Sequence, residues 1–204
     1  MSPSFIFTLL SPAVAVKLKN LPEHFLYHRR KIWYDKKNFR RCFYGNSFCY
    51  ARDVPGILAL LQQVGRVHHE GRPDIFRENA QKYGASQVLS MLDQSASPLF
   101  VAAEEGKVLG YGFCQVKTYD KDPVIADHTE LYIDDLCVDE NIRGKGIGKA
   151  IYQEICRYAK MRRCSAVTLN VWCCNESAMR FYEKLGLKPQ KIGMEMLLSE
   201  ENNA

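Results

Sequence analysis

Three groups of residues have the types and spacing for chemistry. The first is a pair of adjacent aspartates, Asp134 and Asp135, set inside an otherwise apolar run that includes Leu131, Ile133, Leu136 and Val138. A buried carboxylate is costly unless it is paired, so such a pair either holds structure or lines a cleft. The second is the run Arg143, Gly144, Lys145, Gly146, Ile147, Gly148, Lys149. Alternating glycines let a backbone approach a ligand without Cβ clashes. The N–H groups of such a loop, and of the helix turn after it, form an anion site suited to a pyrophosphate. Arg143, Lys145 and Lys149 add positive charge. The spacing is neither that of a Walker A loop nor the Gly-x-Gly-x-x-Gly of a dinucleotide fold. The third group is Asn175, Ala178 and Tyr182, which share one face if the segment is helical.

The elements that position these groups follow from local pattern. Residues 131–138 have strand propensity. Asp139, Glu140 and Asn141 form a polar turn, and Ile147, Ile151, Ile155 and Tyr158 recur at helical spacing. The order is therefore strand, glycine loop, helix. Upstream, a short strand is expected at 48–51. Asp53 and Pro55 then open a helix to about residue 66, a polar loop covers 67–77 with His68 and His69 exposed, and a second helix covers about 79–94. Strands at 99–103 and 108–116 flank a turn with Gly106 at its third position. Downstream come a strand at 166–172, parallel to 131–138 by the crossover rule, a helix from Asn175 closed at Gly186, and a last strand at 191–198. This order implies an α/β mixed sheet with helices on both faces.

The Arg-x-x-Gly-x-Gly run from Arg143 to Gly148, followed by the helix of Asn175 and Tyr182, resembles the coenzyme loop and C-terminal motif of the GNAT superfamily of N-acetyltransferases. The resemblance covers about residues 47–198. It implies the GNAT fold: a mixed, mostly antiparallel sheet of six to seven strands, with the fourth and fifth parallel and splayed at the CoA site. It implies acetyl-CoA as co-substrate and no metal. CoA would contact Leu136, Cys137, Val138, Arg143, Gly144, Lys145, Gly146, Ile147, Gly148, Lys149, Asn175, Ala178 and Tyr182. A backbone N–H near Leu136 or Cys137 would polarise the thioester carbonyl. Tyr182 would protonate the departing thiolate, since a phenol stays protonated at neutral pH. Asp134, which has the spacing to Arg143 of the acidic residue in small-amine acetyltransferases, or Asp135, would take the amine's proton. Glu130 is a weaker third candidate, and a purely structural role for the aspartates stays open. The family carries a β-bulge here, and it mostly transfers the acetyl group directly rather than through a cysteine such as Cys137.

Composition bounds the rest. At 204 residues, 47% hydrophobic and 25% charged, the chain suits one domain with an extension. Residues 1–46 hold nine Lys/Arg and two Asp/Glu, whereas 47–204 hold nineteen and twenty-one, so the basic character lies in the first segment. The expected division is a basic N-terminal extension, 1–46, and an acetyltransferase domain, 47–204. The extension interleaves aromatics with basic residues, but a solvated arm fits better than a nucleic-acid binder. The eight cysteines lack metal spacing and read as reduced thiols. No run reaches the ~18 apolar residues of a membrane span, and Pro12 interrupts the apolar start, so a leader is not expected. The expected setting is cytoplasmic. The expected function is acetyl transfer to a primary amine of a small molecule, and the resemblance admits a homodimer. The alternatives are a protein acetyltransferase and a non-catalytic CoA-binding module.

Overall fold

The computed structural model describes residues 42–44, 51–92 and 94–198. Its strands are β1 (Cys42–Tyr44), β2 (Leu99–Glu104), β3 (Lys107–Tyr119), β4 (His128–Val138) and β5 (Ala166–Leu169). Its helices are α1 (Val54–Gly71), α2 (Ala85–Met91), α3 (Ile147–Met161) and α4 (Glu176–Lys184). The strands lie in chain order in one sheet. Neighbours are antiparallel except β4 and β5, which run parallel. The long α3 crossover supplies the length that a parallel connection needs.

The two faces of the sheet carry separate cores. On one, Ile57, Leu60 and Leu61 of α1 and Val88 of α2 pack on Val101, Tyr111 and Phe113. On the other, Ile147, Ile151, Ile155 and Ala159 of α3 pack on Phe100, Leu109, Leu131 and Ile133. The four α3 positions recur every four residues, which is why one stripe of that helix is buried. The expected helices on both faces are therefore present. At the β2–β3 turn Glu105 and Gly106 both have positive φ, 50° and 82°. This is the primed geometry whose twist matches the strands it joins.

Several local expectations are corrected. Five strands pair among the described residues, and the count of six or seven is not confirmed among them. Ala51 opens a 3-10 turn instead of ending a strand, and residues 48–50 lie outside the described residues, as does the expected boundary at 46/47. Cys42–Tyr44, ahead of that boundary, pair with Val101–Ala103 of β2. Residues 191–198 pair with no strand among the described residues. Ile192, Met194, Met196 and Leu198 alternate as a strand would, yet all four are exposed; alternation makes a strand only where an edge is hydrogen-bonded to it. The first helix runs past Arg66 to Gly71, since nothing from Val67 to Glu70 breaks it. The second starts at Ala85, because Asn79 is left-handed (φ 56°) and Gly84 is extended, its N–H held by the Gln87 side chain at 2.9 Å. Residues 79–84 are thereby freed as a loop over β4.

Candidate active site

The β3–β4 register shifts between Phe113 and Cys114: Phe113 pairs with Asp135 and Cys114 with Ile133. Asp134 is the extra residue of a β-bulge. A plain strand would point Asp134 and Asp135 to opposite faces; the bulge turns both toward the α1–α2 side. Asp134 meets the 79–84 loop. Lys82 Nζ lies 2.8 Å from Asp134 Oδ2 and also donates to its main-chain oxygen at 3.0 Å. The Tyr83 hydroxyl donates to Oδ2 at 2.5 Å. Asp135 is more enclosed. It accepts from the Tyr111 hydroxyl at 2.9 Å, and burial pushes its pKa up to about 6. Burial beside Asp135 likewise drives the Tyr111 phenol upward. Glu130 is buried three positions before Ile133, away from this cluster.

Parallel pairing of β4 with β5 stops at Ile133 and Leu169, while β4 continues to Val138. The two strands therefore splay from Asp134 onward. The Asp139 amide donates to Leu109 O at 3.0 Å across β3. Alternation along an antiparallel ladder then turns the Cys137 amide to β3 and those of Leu136 and Val138 to the open side. The Leu136 N–H also supports the Asp135 carboxylate. Among these three residues the Val138 amide is the freer donor into the gap. Tyr182 of α4 feels Asp135, Cys114 and Tyr152, and burial, the largest cause, raises its phenol pKa. Its hydroxyl is thus a protonated group within electrostatic reach of Asp135.

The loop after β4 is fastened from α1. Buried Gln63 donates through Nε2 to Val138 O at 3.0 Å and to Cys137 Sγ at 3.2 Å, and its Oε1 accepts from the Glu140 amide at 3.0 Å. Asp139 accepts from the Asn141 amide at 3.0 Å and pairs with Lys107 at 3.1 Å. Arg143 Nε points back at Val138 O, 3.5 Å away. Gly144 and Gly146 are left-handed, φ 81° and 76°, conformations that disfavour any Cβ. Gly148 has another role: a Cβ there would meet Phe181 at 3.2 Å, so glycine lets α3 sit against α4. Among the described residues, no acceptor takes the amides of Gly144, Gly146, Ile147, Gly148 or Lys149. A helix start with unbonded N–H groups and basic side chains fits a phosphate. The loop therefore suits the diphosphate of a coenzyme, with α3 behind it.

The chain matches the model of the acetyltransferase (GNAT) family over residues 65–187. It belongs to that family. Solved structures agree: a mutant of the BH1408 protein from Bacillus halodurans is 31% identical, with a TM-score of 0.72, over 77% of this chain and 99% of that one. Among curated relatives, glucosamine 6-phosphate N-acetyltransferase from Arabidopsis thaliana is 28% identical over 68% of this chain and 85% of its own length. The same enzyme from Trypanosoma brucei brucei is 34% identical over 32% of this chain and 42% of its own length. The chain spans less than half the length of the first curated relatives it matches. An aminoglycoside N-acetyltransferase in complex with CoA, 11% identical with a TM-score of 0.57, shares the fold.

Within this GNAT fold the remaining expected residues fall as follows. Asn175 caps α4, its Oδ1 taking the Ala178 amide at 3.1 Å, so the Asn175 Nδ2 rather than the Ala178 N–H remains for a ligand. Cys137 is buried, its thiol pKa pushed up to about 12 by burial, and its Sγ faces Leu60 O at 3.6 Å. That is the setting of a packed thiol, not of a nucleophile. His68 and His69 sit in the last turns of α1, half-buried rather than exposed in a loop. His68 stacks on Phe76, with centroids 4.8 Å apart, and His69 Nδ1 lies 2.7 Å from Phe76 O. Phe76 meets Trp172 edge-on at 5.1 Å, and Arg72 sits 6.0 Å over Trp172 while binding Asp74 and Glu195. These residues make an aromatic wall between the end of α1 and the chain after β5. Lys82, Tyr83, Tyr111 and Gln63 carried no motif; each is defined by a partner far along the chain. Among the described residues, no cluster of three or more His, Cys, Asp or Glu side chains is set to hold a metal, and no helix is long and apolar enough to cross a membrane.

Proposed function

We propose that the protein transfers the acetyl group of acetyl-CoA to a primary amine of a small molecule by direct attack in a ternary complex. The observation that carries this reading is a juxtaposition. Unbonded loop amides follow the open end of β4, the aspartate pair lies on β4 itself, and the Tyr182 phenol is within electrostatic reach of Asp135. In this reading the amides of Gly144 to Lys149, with Arg143, Lys145 and Lys149, take the diphosphate, and Asn175 and Ala178 flank the coenzyme's arm. The thioester carbonyl faces the open edge of β4 at Leu136 to Val138, where the Val138 N–H is the freer donor. The acceptor arrives as an ammonium. The Asp134–Asp135 pair takes its proton, Asp134 as the contact carboxylate, directly or through water. The amine nitrogen forms its bond to the carbonyl carbon, the carbon–sulfur bond breaks, Tyr182 gives its proton to the thiolate, and a second proton leaves the nitrogen through water to restore the Tyr182 phenol.

Glucosamine 6-phosphate N-acetyltransferases among the relatives support a small amine acceptor such as an amino sugar. Free-thiol release from acetyl-CoA, measured over a panel of amino sugars, polyamines and aminoglycosides, tests the reading. Tyr182→Phe is expected to cut kcat about 100-fold, at the low end of a lost general acid. A protein that binds CoA yet releases no thiol with any amine would be a binding module instead.

A further inference from the structure

One amine already occupies the place where an acceptor amine would dock. Lys82 Nζ is 2.8 Å from Asp134 Oδ2 and 3.0 Å from the Asp134 main-chain oxygen. The contact is held from both sides. Tyr83, next in sequence, bonds the same carboxylate oxygen and tilts against Phe113, centroids 5.2 Å apart. The ammonium lies over the Tyr83 ring at 5.6 Å. Its charge is felt by Asp135 and by His68. The Asp135 charge is also felt by the Tyr182 phenol. A lysine side chain that simply solvated its charge would have no reason to be fixed at a bulge where the sheet opens. Half of it remains exposed, so it can be displaced.

We infer that Lys82 is an internal acetyl acceptor: its ε-amine stands in for the substrate amine at Asp134 and is itself acetylated when no external amine is present. The inference rests on the acetyltransferase reading above. The step balances as the external one does. Lys82 loses a proton to Asp134, its nitrogen bonds the thioester carbon, the carbon–sulfur bond breaks, the thiolate leaves as CoA thiol with the proton from Tyr182, and a second proton leaves the nitrogen through water to restore the Tyr182 phenol. Acetyl-lysine is neutral and cannot remake the ion pair. Modification therefore breaks the Lys82–Asp134 ion pair, with Tyr83 still bonded to the carboxylate, and opens the place of the Lys82 ammonium to an incoming one. Before modification, external amine and Lys82 compete for one carboxylate.

The test is to incubate the full chain with acetyl-CoA alone and map acetylated lysines by peptide mass spectrometry over time. The expected result is a single acetyl group on Lys82. Its rate per molecule does not change with protein concentration, and it exceeds the rate at other lysines by at least about 100-fold, the scale a positioned proton acceptor contributes. An added acceptor amine slows it, Asp134→Asn and Tyr182→Phe slow it, and Lys82→Arg gives no modified peptide at that position. If thiol is released with external amines while Lys82 stays unmodified, or is modified no faster than surface lysines, the inference is overturned and the enzyme reading stands. If neither external amine nor Lys82 is acetylated, the enzyme reading falls and takes the inference with it.

Discussion

Replacing Asp135 with Asn is expected to stabilise the fold at pH 8 and leave it unchanged at pH 4. Burial lifts the Asp135 carboxyl from the ordinary 3.8 to about 6, so between those values the folded chain binds more protons than the unfolded one. Stability must therefore fall as pH rises through that window. About two units at roughly 1.4 kcal/mol each give a cost near 3 kcal/mol, fully present above pH 6. Asn keeps an oxygen for the Tyr111 hydroxyl, now at 2.9 Å, and carries no charge to desolvate. For a chain of this length 3 kcal/mol is worth about 6–12 °C in melting temperature. The assay is thermal unfolding of both proteins from pH 4 to 8, with the gap opening through pH 4–6. The same substitution should remove the acidic limb near pH 6 from kcat/KM, because the ionised pair takes the acceptor's proton. An Asn variant that is less stable at pH 8, or a gap that does not move with pH, would refute the reasoning.

Two further outcomes follow from the same geometry. Gln63→Leu removes the side chain that bonds Val138 O and the Glu140 amide. Arg143 Nε remains near Val138 O, so the change should cost about 1–3 kcal/mol in all and weaken CoA binding, measured by chemical denaturation and calorimetric titration. Cys137→Ala should keep turnover with a folding cost of about 1 kcal/mol, and the native thiol should resist alkylation at pH 8 because burial pushes it to about 12; rapid labelling of Cys137, followed by mass spectrometry, contradicts this.

The strand, loop and helix from β4 through α3 were legible in the sequence because their determinants are local: apolar alternation, a polar turn, alternating glycines and isoleucines at helical spacing. The partners of the aspartates were not. Tyr83 and Lys82 reach Asp134 across 51 and 52 positions of chain, a relation fixed by the way the 79–84 loop crosses the sheet. The bulge was expected only through the family resemblance, since two adjacent aspartates do not say which of them is the extra residue. Polarity misled at His68 and His69, which lie in a helix and pack on Phe76. The alternation at Ile192, Met194, Met196 and Leu198 misled in the opposite sense. It described a strand without saying whether an edge would receive it.

The account depends on a diphosphate seated on five unbonded amides at the start of α3. The most direct measurement is an amide-resolved NMR titration of the protein with acetyl-CoA. The account predicts the largest shifts at Gly144, Gly146, Ile147, Gly148 and Lys149, saturating together with Val138. Binding that leaves those six amides still while others move would contradict it.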